Sequence, residues 1–471
     1  MISEYFMDRK YILLFLIGSI LLTVSSGCSN PHRRLPVPRP SGKELVTFQP
    51  PSELSPVSLS APETRDPEDT LTLSQVWSLA LLKNPELAGF AWEVRVKEAS
   101  AIQKGLLPNP ELGVEVEEFG GTRDLSGFKG AQTTIALSQL LELGGKRSKR
   151  TAVAVLETDL AGWDYEAKRL DVLTEATKTF VEVLAAQEKL ILTDELVRLT
   201  EDLFNAVSGR VQAGKVAPVE ETKAGVALSS SKIERERARR ALEAARKRLA
   251  LIWGSSSPAF ERAGGELDVI FTIPSEETLS SLISQNPDVA RWLVENEQRR
   301  AALELEKAGR IPDLTLSGGV RRFNETDDNA FVMGVSVPIP LFDRNQGGIL
   351  EAGSRLAQAE KGREAAEASA RAALAEAYQA LATAFSEAIT LRDDVVPRAQ
   401  DAFEAAQEGY RQGKFGFLDV LDAQRTLIET RGQYLEALES FHKAKTDVER
   451  LIGQGLDNLD QAALQKSEKV K

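Results

Sequence analysis

The sequence predicts a mainly α-helical chain that carries four membrane-type β-strands and is written twice. Three observations lead there. Long stretches with apolar residues at spacings of three and four alternate with short stretches of period two. The Gly and Pro markers between them recur at a nearly constant offset. Beyond the first thirty residues no segment is apolar enough to cross a membrane as a helix, so any crossing must be made by strands.

Composition narrows the function classes. The 471 residues include 70 acidic and 58 basic side chains, for a net charge of −12. An acidic chain without a basic block is a poor nucleic-acid binder. One Cys excludes an internal disulfide or a Cys-rich zinc site. Of the two histidines, His32 and His442 lie far apart, which argues against a His-based metal centre. The 42% apolar content can build a core, while aromatics at only 6% suit closely packed, Ala-rich helices.

Residues 1–27 read as an export signal. Lys10 precedes the apolar run Tyr11 to Val24, which is too short for a comfortable membrane helix and has the length of a signal-peptide core. Glu4 and Asp8 are unusual ahead of such a run, so translation starts at either Met1 or Met7. The run ends in Ser25-Ser26-Gly27-Cys28, which resembles a bacterial lipobox with Cys28 lipidated as the mature N-terminus. An ordinary cleavage site beside a chance Cys is the alternative, and Ser25 departs from the usual Leu. Residues 28–70 form a Pro-rich tether (Pro31, Pro36, Pro38, Pro40, Pro50, Pro51, Pro56). Ser29 is no inner-membrane retention signal, so delivery to the outer membrane is expected.

Two repeats follow, at 71–255 and 276–455, with a polar tail at 456–471. Lys83-Asn84-Pro85-Glu86-Leu87 matches Gln285-Asn286-Pro287-Asp288-Val289, and Leu107-Pro108 matches Ile311-Pro312. Gln212-Ala213-Gly214-Lys215 matches Arg411-Gln412-Gly413-Lys414. Residues 72–106 and 277–310 read as helices. Period two then sets in. Leu112, Val114 and Val116 alternate with Gly113, Glu115 and Glu117, and Leu314, Leu316 and Gly318 alternate with Thr315, Ser317 and Gly319. After polar connectors, second strands return through Thr133, Ile135 and Leu137 and through Phe331, Met333, Val335 and Val337. Their lengths suit tilted membrane strands, although two soluble hairpins would alternate in the same way.

Long helices are expected next, from about Ser148 to Gln212 and from about Gln346 to Arg411, with Pro397 the one late interruption. Two apolar stripes on the first, Val153-Leu156-Leu160-Trp163 and Val172-Ala176-Phe180-Val183, call for contacts on two sides. A two-chain coiled coil is the simpler reading, but it leaves the hairpins unexplained. Gly214 and Gly413 suit tight left-handed turns into shorter helices, at about 219–252 and 417–452. No P-loop, GxSxG or HExxH pattern occurs, and no enzyme activity or cofactor is expected.

At this point the chain resembles the TolC-like outer-membrane efflux family, over about residues 70–455. The matching segments are Leu137-Ser138-Gln139-Leu140-Leu141-Glu142-Leu143-Gly144-Gly145-Lys146-Arg147 and Val335-Ser336-Val337-Pro338-Ile339-Pro340-Leu341-Phe342-Asp343-Arg344-Asn345. They are most similar to the heavy-metal-efflux branch of tripartite RND systems. The resemblance implies a homotrimer with one shared 12-stranded barrel, four strands per chain, above a helical periplasmic tunnel. It also implies conduction of small solutes, metal ions or drugs, together with an inner-membrane pump and a periplasmic adaptor. A type I protein secretion duct and a non-conducting coiled-coil scaffold are the other readings.

Gly409-Tyr410-Arg411-Gln412-Gly413 with Leu418-Asp419-Val420-Leu421-Asp422-Ala423 is similar to the family's inner tip. Asp419 and Asp422, three apart on a helix, then read as entrance carboxylates; simple stabilisation of the helix N-terminus is the alternative. Glu220 holds the same offset from Gly214 as Asp419 from Gly413, and is counted with that ring. Tyr410 reads either as a gate contact or as helix packing. Gly214 and Gly413 would dock adaptor hairpins. Phe415 stands where the family often has Arg, which weakens a polar gate lock. Glu115, Glu117 and Glu118 are expected toward a lumen, with Leu112, Val114 and Val116 toward lipid.

Overall fold

The structure is a computed structural model that describes residues 69–456. The leader, Cys28, nearly all of the Pro-rich tether and the tail lie outside the described residues.

The first repeat opens with β1 (Thr70–Thr72) and α1 (Leu73–Lys83), then α2 (Pro85–Lys104). Asn84 starts α2 by accepting a hydrogen bond from the Leu87 N–H at 2.8 Å. Pro85 takes the first helical position, where a missing N–H costs nothing. Strands β2 (Glu111–Glu117) and β3 (Gln132–Leu141) follow. Helix α3 (Lys146–Gln212) runs 67 residues, roughly 100 Å at 1.5 Å per residue. Its entry needs a left-handed residue, supplied by Gly145 at φ 70°. Helix α4 (Pro218–Leu251) returns antiparallel to it.

The second repeat follows the same plan. Strand β4 (Arg262–Gly264) pairs parallel with β1. A short α5 (Glu276–Ser280) leads to α6 (Pro287–Gly309), capped by Asn286. Strands β5 (Leu314–Phe323) and β6 (Asp328–Ser336) precede α7 (Gln346–Thr390). Asn345 occupies the entry position of α7 at φ 55°. The chain then passes through a π-helical turn, Leu391–Val395, into α8 (Val396–Arg411), and ends in α9 (Phe417–Ile452).

Pro397 therefore does not break the second long helix. Proline lacks an N–H and crowds the carbonyl four residues back, and the wider turn just ahead of it relieves both problems. The buried stripe Leu381, Ala384, Ala388, Leu391 resumes beyond it as Ala399, Phe403, Ala406, Tyr410.

The strands form one four-stranded antiparallel sheet in the order β2-β3-β5-β6, so the two hairpins join through β3 and β5. Between sheet and equator the helices stand in the order α2, α3, α6, α7; between equator and tips the order is α4, α3, α9, α8. Two apolar cores fill the equator. One gathers Leu71, Val76, Phe180, Leu184, Leu249 and Trp253, and the other gathers Leu279, Ile283, Leu381, Phe441, Val448 and Ile452. Among the described residues no helix is long and apolar enough to cross a membrane.

Candidate functional site

The sheet separates two chemistries. Directly opposed residues share a face in antiparallel pairing. Leu112 pairs with Leu137 and Val114 with Ile135; Ile135 pairs onward with Val320, and Val320 with Phe331. One face is thus an apolar band across all four strands, and it is bare: Leu112 is 71% exposed, Phe331 75% and Met333 90%. The opposite face carries Glu115 and Glu117 with their partners Thr134 and Gln132.

On that face Arg321 organises the polar groups. Its Nη2 lies 3.0 Å from Glu117 Oε2, its Nε donates to Thr134 Oγ1 at 2.8 Å, and its Nη1 donates to Gln132 Oε1 at 3.2 Å. Gln132 also donates to Glu118 Oε2 at 2.8 Å. Sequence reading assigned the glutamates to this side and missed Arg321, because a partner nearly two hundred residues away leaves no local signature.

The sheet is fastened to the helices just below it. Lys146 Nζ and the Leu143 N–H both donate to Asp313 Oδ1, at 2.8 and 2.9 Å, tying the exit of the first hairpin to the entry of the second. Arg150 grips Glu142 with two hydrogen bonds, at 2.6 and 3.0 Å, and donates to the Lys104 carbonyl. The Gly144-Gly145-Lys146 triplet therefore serves a chain crossing. A Cβ on Gly144 would come within 2.8 Å of Ile311, and φ is +68° there.

At the far end, two helical hairpins turn on Gly214 (φ +65°) and Gly413 (φ +74°). The Lys215 and Lys414 N–H groups reach back to the Arg210 and Gly409 carbonyls at 2.9 and 2.8 Å, which closes the last helical turn. A Cβ on either glycine would meet nothing within 4 Å, so backbone conformation alone requires glycine. Gly409 differs: the Phe415 ring lies against its Cα and leaves no room for a Cβ.

Tyr410 is buried with Val207 and Ala224 of the first repeat and Phe403, Ala406 and Phe417 of the second. The Arg210 guanidinium stacks 4.3 Å from its ring centroid and donates to its carbonyl at 3.2 Å. This cation–π pair joins the two hairpins. Asp419 and Asp422 are both exposed. Asp419 Oδ2 accepts the Gly416 N–H at 2.8 Å, so this carboxylate helps to start α9. Glu220 is half-buried near the start of α4, and its Oε2 is buried without a hydrogen-bond partner. Cys28 lies outside the described residues.

The duplicated helix–hairpin–helix order and the two-faced sheet point to one family. Residues 76–255 and 278–454 match the outer membrane efflux protein family. The chain belongs to that family. Among its relatives, the cobalt-zinc-cadmium resistance protein CzcC of Cupriavidus metallidurans is 37% identical over 392 residues, 83% of this chain and 91% of the relative. The nickel and cobalt resistance protein CnrC of the same organism is 29% identical over 310 residues, 65% and 71% of the two chains. A membrane protein from Pseudomonas aeruginosa superposes with a TM-score of 0.71 at 21% identity, over 87% of this chain and 97% of its own. The Campylobacter jejuni CmeC outer membrane channel gives 0.67 at 18%, over 83% and 88%. The fold is TolC-like, and an outer-membrane location follows from the family.

Proposed function

We propose that this chain is the outer-membrane duct of a tripartite pump that expels metal cations, and that three copies close one barrel of twelve strands. The division of the sheet carries the reading: a bare apolar band on one face and a Glu-lined polar face on the other. A single sheet leaves β2 and β6 as open edges, and unpaired backbone groups are too costly in lipid to remain there. Closure with two further copies pairs every edge and turns the Glu115 face toward a water-filled lumen.

Metal cations are favoured over other solutes because the relative at 37% identity is named for cobalt, zinc and cadmium resistance. Conduction needs no catalytic group and no cofactor in this chain; the pump supplies the energy. Gly214 and Gly413 would present the hairpin turns to a periplasmic adaptor. Asp419, Asp422 and Glu220 would line the entrance, where carboxylates from three chains favour cations. Tyr410 would hold the two hairpins of each copy together behind them. Cys28 would carry a lipid that anchors the mature N-terminus.

The test is paired. In a metal-sensitive host lacking its own outer-membrane duct, this chain with its pump and adaptor should restore growth on cobalt, zinc or cadmium. The purified protein should conduct ions in planar bilayers. Growth rescue without any conductance would sink the duct reading. Palmitate labelling lost in Cys28→Ala would support the anchor.

A further inference from the structure

The helix order in the tip half leaves two lateral edges, α4 on one side and α8 with the end of α7 above it on the other. Helix α4 seals to α3 through small residues seven apart, Ser231, Ala238 and Ala245, and most of its remaining surface is exposed. On a chain of net charge −12, the stretch 232–248 of α4 carries eight basic and three acidic residues. The opposite edge, 387–408, carries six acidic and two basic residues. Some of these charges pair along their own helix, as Arg239 and Arg240 do with Glu236 and Asp394 does with Arg398, in exposed contacts that a stronger partner can replace. Among the described residues Lys223, Lys232 and Arg235 on one edge, and Glu387, Asp401 and Glu404 on the other, make no ion pair within the chain.

The two edges also match in height. The long helices start at Gly145 and Asn345 and turn at Gly214 and Gly413, so their lengths agree to within one residue and their tips stand level. Height is counted in residues from those turns, and Glu404 is nine up. Lys232 is eighteen and Asp394 nineteen; Arg240 and Glu387 are both twenty-six. Beside Glu387 the π turn opens a shallow concavity lined by Ala382, Thr383, Ser386, Thr390 and Leu391.

We propose that the exposed edge of α4 docks on the α7–α8 edge of a second copy as a charge-matched seam, with Lys232 to Asp394, and Arg240 to Glu387 at the π-turn concavity; Lys232 and Arg240 lie on one flank of α4, about 80° apart around its axis. The proposal rests on the three-copy reading above and adds the register and chemistry of the joint. A helix edge with one sign of charge cannot dock on its like, so the seam enforces head-to-tail closure of the ring. Because the charges are exposed until docked, salt weakens the seam.

Crosslinking and charge reversal test it on the full-length chain, with wild type, whose one cysteine is Cys28, as the control for crosslinking without an added thiol. R240C with E387C, at matched height, should be joined between copies by a short bis-maleimide in isolated outer membranes, giving dimer and trimer bands. R240C with E404C, at mismatched height, should not. R239E with R240E should raise the monomer fraction severalfold by light scattering in detergent, and adding E387K should reverse much of that rise. If wild type is trimeric but the two cysteine pairs crosslink equally, or charge reversal leaves the monomer fraction unchanged, the seam is overturned while the three-copy reading stands. If wild type is monomeric in membranes and detergent alike, both fall.

Discussion

Asn84 and Asn286, one in each repeat, make the same clamp between the start of one helix and the end of another. Asn84 accepts the Leu87 N–H at the start of α2, and its Nδ2 donates to the Ile252 carbonyl, past the end of α4, at 2.7 Å. Asn286 accepts the Asp288 N–H at the start of α6, and donates to the Arg450 and Leu451 carbonyls at the end of α9, at 3.1 and 3.0 Å. A helix start has spare donors and a helix end has spare acceptors, and one amide side chain serves both. The two equatorial cores are locked by these clamps.

The clamp predicts a graded response. Asn286→Ser keeps a helix-capping acceptor but is too short to reach the Arg450 and Leu451 carbonyls, whereas Asn286→Ala loses both roles. Asn286 is 1% exposed, so the stranded carbonyls have no water to turn to. Each lost role costs about 1–2 kcal/mol. Thermal unfolding in detergent should rank wild type above Ser above Ala. Equal melting of wild type and Asn286→Ser would show that the donated bonds contribute nothing.

Gly413→Val should spare assembly and impair export. The backbone there sits at φ +74°, which a β-branched residue adopts only at a cost of about 1–3 kcal/mol, although the Cβ itself meets nothing. The β-sheet is a full helix length away, so insertion should proceed. Gly413→Asn should be milder, since Asn tolerates the left-handed region. Unimpaired metal tolerance with Gly413→Val would remove the tip from the adaptor-docking role.

Asp419 serves both a helix start and, on the proposed reading, an entrance. Changing Asp419 and Asp422 to Asn separates the two roles, because Asn still accepts the Gly416 N–H while the charge is lost. Divalent ions added on the periplasmic side of a planar bilayer should block wild-type channels and leave the double variant open. The same block in both would reduce Asp419 to a capping residue.

Glu182 gives the fold a defined sensitivity to acid. Its carboxylate binds Lys443 of the second repeat at 2.7 Å and Arg248 at 2.9 Å. Burial pushes its pKa up, but the two cations outweigh burial and hold it below the ordinary value of 4.5. A carboxylate with a depressed folded pKa stabilises the fold above its unfolded value and loses that contribution as pH falls through the folded one. Solvent screening keeps the term to about 1 kcal/mol or less. Glu182→Gln should therefore melt lower than wild type at neutral pH, with the gap closing below 4.5. A gap independent of pH would assign the loss to packing.

The sequence by itself determined the local pattern. Period two across Leu112, Val114 and Val116 already separates the two faces of a strand, because side chains alternate whatever lies beyond them. The matched Asn-Pro and Gly-Lys markers disclose the duplication, and positive φ at Gly214 and Gly413 follows from what a tight helical turn requires. What only the tertiary structure decided is which surfaces meet. Arg321 on Glu117 and Arg210 over Tyr410 each join groups whose own neighbours in sequence give no hint of the partner. The order α4, α3, α9, α8 is of the same kind, and with it the exposure of a basic and an acidic edge. Periodicity reports that a face is apolar or charged. The partner that covers it is selected by packing among many compatible faces, and that selection is made only in three dimensions.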